Sequence, residues 1–311
     1  MSRLVALLLA LLGHVVAHAD DCPPNAGMPT PAEMAALQAA ATDHGVLWKI
    51  KRDGHVSWLY GSLHIGRLSW AVPGPALANA WRSTDVLALE LDLSDPKTMA
   101  ALLEEGKPGP EALPPALAQR LAAQAGAECV PLAALAAYHP LLQLSTLTAL
   151  SVRRDGLDPS FGQEPILSGM AHASGRTIVA LETAKDQMQA LLPKDRKEML
   201  EDLDDGLSQL EQNKVRGPMV KMAEAWAHGD LATLQNYEDW CDCVHSEADA
   251  QALHRLNDER NGPLAKRIAA LHASGKRVLV AVGALHMTGA NALPKLLAAQ
   301  GFEVERINTQ P

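Results

Sequence analysis

Short runs of alternating apolar and polar positions mark the strands of this chain. Leu47 to Lys51 and Val56 to Tyr60 flank Asp53-Gly54, the signature of a two-residue type I′ hairpin. Val86 to Leu93 follows, with Val86, Ala88, Glu90 and Asp92 on one face of the strand and four leucines on the other. Thr177 to Thr183 after Gly175, and Val278 to Val282 after Gly275-Lys276-Arg277, read as two more strands. Phe302 to Ile307, entered after Gly301, reads as a final edge strand.

Between the strands the pattern is helical. Pro31 opens a first helix, with Thr30 as its N-cap and Glu33 in its first turn. Leu113 to Ala127, Leu132 to Leu150 interrupted by Pro140, Lys194 to Leu210, Met219 to His228 and Ala248 to Arg260 carry apolar residues at helical spacing. Strands separated by helices predict an α/β fold with a central mixed β-sheet and flanking helices. The helical mass over 96–150 and 185–271 exceeds what single crossovers need, so large helical insertions are expected. No tandem repeat of solenoid period is present.

Composition changes the picture mainly at the N-terminus. Met1-Ser2-Arg3, the apolar run Leu4 to Val16 and Ala17-His18-Ala19 come in the order of a secretory signal. The apolar run is well short of the ~20 residues a spanning helix needs. The expectation is a signal peptide over 1–19, one domain over 20–311, export to the periplasm or medium, and no stable membrane anchor. A net charge of −9 with acids and bases interspersed argues against nucleic acid as a partner. Four cysteines, Cys22, Cys129, Cys241 and Cys243, allow three full pairings in an exported chain. Cys241-Asp242-Cys243 reads as too tight to bridge within itself, which makes one of its cysteines a candidate partner for Cys22 or Cys129.

The chemistry concentrates at the strand ends. Val56 to Gly66 and Val278 to Gly289 echo each other: an apolar strand, Gly-x-Leu-His, then a second glycine, two residues after His64 and three after His286. Glycine permits a close approach, and a histidine just past a strand sits where open α/β sheets collect ligands. Glu90 and Asp92 end one strand and Glu182 another. Two imidazoles with one or two carboxylates are a donor set for a divalent metal, which would activate water or polarise a carbonyl. His139 and His228 read as helix-end residues, and His245, His254 and His272 as solvent-facing. No Gly-x-Ser-x-Gly elbow, Walker A, Rossmann fingerprint or His-Glu-x-x-His is present.

Leu59 to Gly66, Leu87 to Asp92, Gly156-Leu157-Asp158, Val179 to Thr183, Arg260-Asn261 and Val280 to His286 occur in that order. The ordered set resembles the TraB/GumN family, to which the Tiki metalloproteases are related. The resemblance spans Leu47 to the C-terminus. It implies an α/β fold with paired Gly-x-x-His motifs at its centre and metal-dependent proteolysis using ions such as manganese or cobalt. His64 and His286 match the motif histidines, Glu90 the strand glutamate, and Arg260-Asn261 a pair placed before a helix.

The resulting expectation is a metal-dependent hydrolase of peptide or related acyl bonds, acting on a peptide or small-molecule substrate. His64, His286 and Glu90 would hold manganese, cobalt or zinc. Arg260 would stabilise developing negative charge, Asn261 would position substrate or a water, and Glu182 would act as general base. The rival expectations are a non-catalytic haem- or metal-binding protein and an accessory protein of surface polysaccharide systems.

Overall fold

The computed structural model describes residues 22–27 and 29–309, so the signal-like segment lies outside the described residues. Six strands form one sheet: β1 (Val46–Arg52), β2 (His55–Ser62), β3 (Val86–Leu89), β4 (Thr177–Ala180), β5 (Val278–Gly283) and β6 (Glu303–Ile307). Their order is β4-β3-β5-β2-β1-β6. β4, β3, β5 and β2 run parallel, and β1 runs antiparallel to both β2 and β6. The β1–β2 hairpin closes at Arg52 and His55 through Asp53 and Gly54, both with positive φ (52° and 78°), as a type I′ turn requires.

Around the sheet lie α1 (Pro31–Ala39), α2 (Pro75–Arg82), α3 (Pro96–Glu105), α4 (Pro115–Ala127), α5 (Leu132–Leu135), α6 (Pro140–Ser151) and α7 (Gln163–Ala173). They are followed by α8 (Ala184–Leu191), α9 (Arg196–Glu211), α10 (Arg216–Ala227), α11 (Leu231–Gln235), α12 (Glu247–Leu256), α13 (Asp258–Ala273) and α14 (Leu293–Ala299). Side chains alternate along β2, so its two faces can be told apart by their neighbours. Ser57 meets His272 of α13, whereas Tyr60 meets Gln163 of α7 and Trp226 of α10. The sheet is thus covered on both faces. A second apolar cluster, Leu121, Leu144, Leu147, Leu203 and Leu207 among its members, holds α4, α6 and α9 together away from the sheet. These are the large helical insertions.

All four residues of β3 are buried, because helices cover both sides of a parallel strand. Several local expectations change. β3 and β4 stop at Leu89 and Ala180, before the acidic residues that follow them. The run from Ala248 to Arg260 breaks at Asn257, so Arg260 and Asn261 stand in the first turn of α13 rather than ahead of a helix. Pro140 divides its apolar stretch by opening α6, with His139 as the N-cap that accepts from Leu141 N at 3.3 Å. His272 is not solvent-facing. It shares the buried stripe of α13 with Leu264, Ala265, Ile268 and Ala269, and is 1% exposed. Its Nε2 donates to the Arg52 carbonyl at 3.0 Å, and its Nδ1 then accepts from the Ser57 hydroxyl at 3.0 Å.

The cysteines pair as Cys22–Cys129 and Cys241–Cys243. The second corrects the expectation that Cys241-Asp242-Cys243 is too tight. Asp242 takes up a left-handed conformation (φ 52°), and this turns the two sulfurs toward each other across one residue. Among the described residues, no helix is long and apolar enough to cross a membrane.

Candidate active site

The four parallel strands end along one edge of the sheet, where the chain leaves each of them in a loop. His64 follows β2, Glu90 follows β3, Glu182 follows β4 and His286 follows β5. The two Gly-x-x-His motifs therefore stand on adjacent strands. They are one residue out of register, with Gly61 opposite Val282 and Ser62 opposite Gly283.

Close backbone approaches fix the first motif. A Cβ on Gly61 would come within 3.1 Å of the Ala284 Cα and collide with Val46, so glycine lets β2 run against the turn that carries His286. A Cβ on Gly66 would overlap the Phe161 carbonyl oxygen. That contact exists because Gly66 and Asp158 exchange backbone hydrogen bonds of 3.1 and 2.8 Å. Asp158 in turn caps the short turn Pro159–Phe161 through Ser160 N. The motif Gly156-Leu157-Asp158 thus clamps the His64 loop to the start of α7, and α7 delivers Glu164. The exposed His64 ring places Nδ1 3.3 Å from Glu164 Oε2, while Ser62 Oγ donates to the other carboxylate oxygen.

His286 is held in a similar way by a different group. It lies in the 3-10 turn Ala284–Met287 and is 3% exposed. The Asn261 amide donates to the carbonyls of Asn291 (3.0 Å) and His286 (3.4 Å), so its oxygen is the atom that meets His286 Nδ1 at 2.7 Å. This fixes the tautomer: Nδ1 carries the proton and Nε2 presents its lone pair. That nitrogen lies 3.7 Å from Glu90 Oε1. Asn261 itself is fully buried, so its side chain orients His286 and does not face a substrate.

Arg260 ties the two strand-end glutamates together. Its Nε donates to Glu182 Oε1 at 3.0 Å, and its Nη2 donates to Glu182 Oε2 and Glu90 Oε2. Nη1 donates to the Leu256 carbonyl at 3.0 Å, which leaves one Nη1 hydrogen of the five unassigned. Glu90 also accepts from Gly283 N at 2.8 Å and from Gln187 Nε2 at 3.0 Å. Asp92 stands apart from this network and accepts from Ser94 in the following turn.

Electrostatics separate the two imidazoles. The Glu164 carboxylate raises His64 to about 9. Burial lowers His286 and keeps it neutral, against the pull of Glu90. Burial alone would raise Glu90, but its neighbour His286, the charges of Arg260 and His64, and the Gly283 N–H bring it to about 2. Burial likewise opposes ionisation of Glu164, and His64 and Ser62 reverse that. The carboxylates raise Arg260 despite its burial. Two histidines pushed in opposite directions are a common mark of divided roles at a site.

The donor set suits a divalent cation in its chemistry. Nδ1 of each imidazole faces a protein acceptor, Glu164 or Asn261, so Nε2 is the nitrogen turned toward an ion, free in neutral His286 and available in His64 once an ion displaces its proton. Glu90 and Glu182 share one guanidinium, so a further cation would be welcome there. Among the described residues, however, no three His, Cys, Asp or Glu side chains converge as a preformed cage. The fit is one of donor type and orientation.

Residues 46–306 match the TraB/PrgY/gumN family. The chain belongs to the TraB/PrgY/gumN family. The matched span runs from β1 into β6, and so takes in His64, Glu90, Glu182, Arg260, Asn261 and His286. Among relatives, Metalloprotease TIKI1 of Danio rerio is 25% identical over 318 residues, covering 83% of this chain and 62% of that protein. The chain thus spans under two thirds of that relative's length. Uncharacterized protein YbaP of Escherichia coli (strain K12) is 27% identical over 274 residues, covering 81% of this chain and 96% of that protein. The YbaP of Shigella flexneri matches to the same extent. No solved structure gives a significant match.

Proposed function

We propose that this member of the TraB/PrgY/gumN family is an exported, metal-dependent hydrolase of peptide or related acyl bonds. The observation that carries this reading is the shared treatment of the two motif histidines. Each faces a protein acceptor at Nδ1, Glu164 or Asn261, which turns Nε2 toward an ion; His286 offers its lone pair directly, and His64 offers one on losing the proton that Glu164 favours. The likeness to a metalloprotease supports it. His64, His286 and Glu90 would hold manganese, cobalt or zinc, which supplies Lewis acidity and a water of lowered pKa.

The chain's own residues have distinct tasks in this reading. Glu90 stays ionised at neutral pH and keeps negative charge at the centre of the site. Neutral His286 keeps its lone pair on the side of Glu90. Arg260 has its orientation fixed by the fork of bonds to Glu182, and directs its remaining Nη1 hydrogen to the carbonyl oxygen where negative charge develops. Glu182 acts through that fork as the group that orients Arg260.

The test is cleavage of a mixed peptide pool, read by mass spectrometry, with manganese, cobalt or zinc supplied. Defined cleavage products that vanish with a chelator and in Glu90→Gln support the proposal. Products that survive chelation, or that persist in both His64→Ala and His286→Ala, contradict it. A Soret band without turnover would instead favour the haem-binding alternative.

A further inference from the structure

The backbone leaving β3 and β4 stays paired beyond the strands, through Leu181 N to the Leu89 carbonyl (2.8 Å) and Glu182 N to the Glu90 carbonyl (2.9 Å). Glu90 and Glu182 therefore stand side by side. Thr183 then caps α8, and one turn later the helix brings the half-buried Gln187 to both of them. Its neighbours there are carboxylate oxygens, Glu90 Oε2 at 3.0 Å and Glu182 Oε2 at 3.4 Å. An amide can meet two ionised carboxylates only with its nitrogen, so this contact fixes which way Gln187 is turned.

The two oxygens of Glu90 are treated differently. Each carboxylate oxygen has two lone pairs. On Oε2 both are taken, by Arg260 Nη2 and Gln187 Nε2. On Oε1 Gly283 N takes one at 2.8 Å, and the oxygen faces His286 Nε2 at 3.7 Å. Asn261 holds the proton of His286 on Nδ1, so Nε2 has no hydrogen to give to Oε1. Two lone pairs thus face each other with no proton between them, an arrangement that a cation relieves. Bonds of ~2.0–2.2 Å from one ion to each atom fit within that separation.

We propose that Gln187 is a positioning residue for the metal centre: with Arg260 it closes Oε2 of Glu90, so that Glu90 meets an ion through Oε1 alone, beside His286. The proposal rests on the metal-dependent reading above and deepens it, naming the glutamate oxygen that serves as ligand and the residue that selects it. Gln187 contributes no charge; it sets the mode of binding. Without its N–H, Oε2 regains a lone pair, and Glu90 is free to turn or to take the ion through both oxygens. Arg260 Nη2 cannot fill the gap, because its two hydrogens are already committed, one to each glutamate.

The experiment uses cobalt(II) as the probe, because its visible absorption reports coordination number. The full chain and its Gln187→Met and Gln187→Ala variants are titrated with cobalt, recording the position and intensity of the band and the dissociation constant, with circular dichroism as a check on folding. Methionine keeps the length of the side chain and donates nothing. Alanine suits a helix and leaves room for a water to donate to Oε2 in place of the amide. Gln189→Met, at an exposed position of the same helix, controls for changes in α8 itself. In Gln187→Met the band is expected to shift and weaken, as a second carboxylate oxygen raises the coordination number, and cobalt to bind about ten- to hundredfold more weakly. Gln187→Ala should fall between that variant and the wild type, and Gln189→Met should match the wild type. Wild-type spectra and affinities in both Gln187 variants, or an equal change in Gln189→Met, overturn the proposal; if the methionine variant does not fold, an unchanged spectrum in Gln187→Ala does so. No cobalt band in the wild type overturns the proposal together with the metal reading beneath it. Bound cobalt with an altered spectrum in Gln187→Met, but no cleavage of peptides by the wild type, contradicts the hydrolase and leaves the role of Gln187 standing.

Discussion

A histidine can serve a metal or a proton only if something decides which nitrogen it offers, and here two different residues decide it. Glu164 sets His64, and Asn261 sets His286. Replacing Glu164 with glutamine keeps an oxygen for Nδ1 but removes the charge. The expected outcome is a ten- to hundredfold loss of metal affinity with the fold unchanged, read by competition with a chromogenic chelator. Unchanged affinity would separate Glu164 from the ion. Arg260→Lys keeps the charge and loses the fork to Glu182, and kcat is expected to fall by about 10²–10³ with a smaller change in KM. Retained kcat would remove Arg260 from the reaction. His64, Glu90, Glu182 and His286 were legible in the sequence because each follows an apolar run, a signal local to the chain. Glu164 and Gln187 were not. Glu164 reaches His64 only through the Gly66–Asp158 contact, and Gln187 reaches Glu90 only because α8 starts beside it. Neither contact leaves a pattern in nearby residues.

Single elements carry these side chains, and their ends matter most. Thr183 caps α8 in a capping box with Asp186, directly after Glu182, and so fixes where the helix that carries Gln187 begins. Thr183→Ala should cost about 1 kcal/mol in chemical denaturation. A loss of turnover larger than that stability change explains would show that the cap also aligns Glu182. The N-cap of α3 sets part of the acid stability. The Lys97 backbone N–H, aided by Thr98, lowers the Asp95 carboxyl below its usual 3.8. A lowered folded-state value means that Asp95 contributes fully above pH 3.8, and that its contribution is lost as pH falls through the folded value. Asp95→Asn keeps a capping oxygen and should flatten the acid limb of the urea midpoint plotted against pH; an unaltered limb would contradict this. Element ends also show what local pattern can reveal. Asp53-Gly54, Thr30 with Pro31, and Pro140 each impose a backbone conformation and were readable. The break at Asn257 was not, since the residues on either side are equally helical and only the docking of Arg260 against Glu90 and Glu182 shows where α13 must start.

Over the whole molecule, one sheet gathers residues from four places in the chain, and two covalent links differ in what they restrain. Cys22–Cys129 closes a separation of 107 residues, and Cys241–Cys243 one of 2. Chain entropy scales with loop length, so removing the long link should cost roughly 2–5 kcal/mol and removing the short one much less. Paired alanine substitutions compared in denaturant would show it, and equal losses would contradict it. The α/β class, the mixed sheet and the helical insertions were readable from alternating strand and helix patterns. The strand order was not, because β5 enters between β3 and β2 only after the insertions have been made. The central claim joins these scales: the sheet brings His64 and His286 to one edge so that they can share an ion. Its most direct test is the metal content of the purified chain by elemental mass spectrometry, after exposure to manganese, cobalt or zinc, beside the His64→Ala/His286→Ala double variant. Near-stoichiometric metal in the wild type that is lost in the variant is the predicted result. No metal in either protein, or equal metal in both, would contradict it.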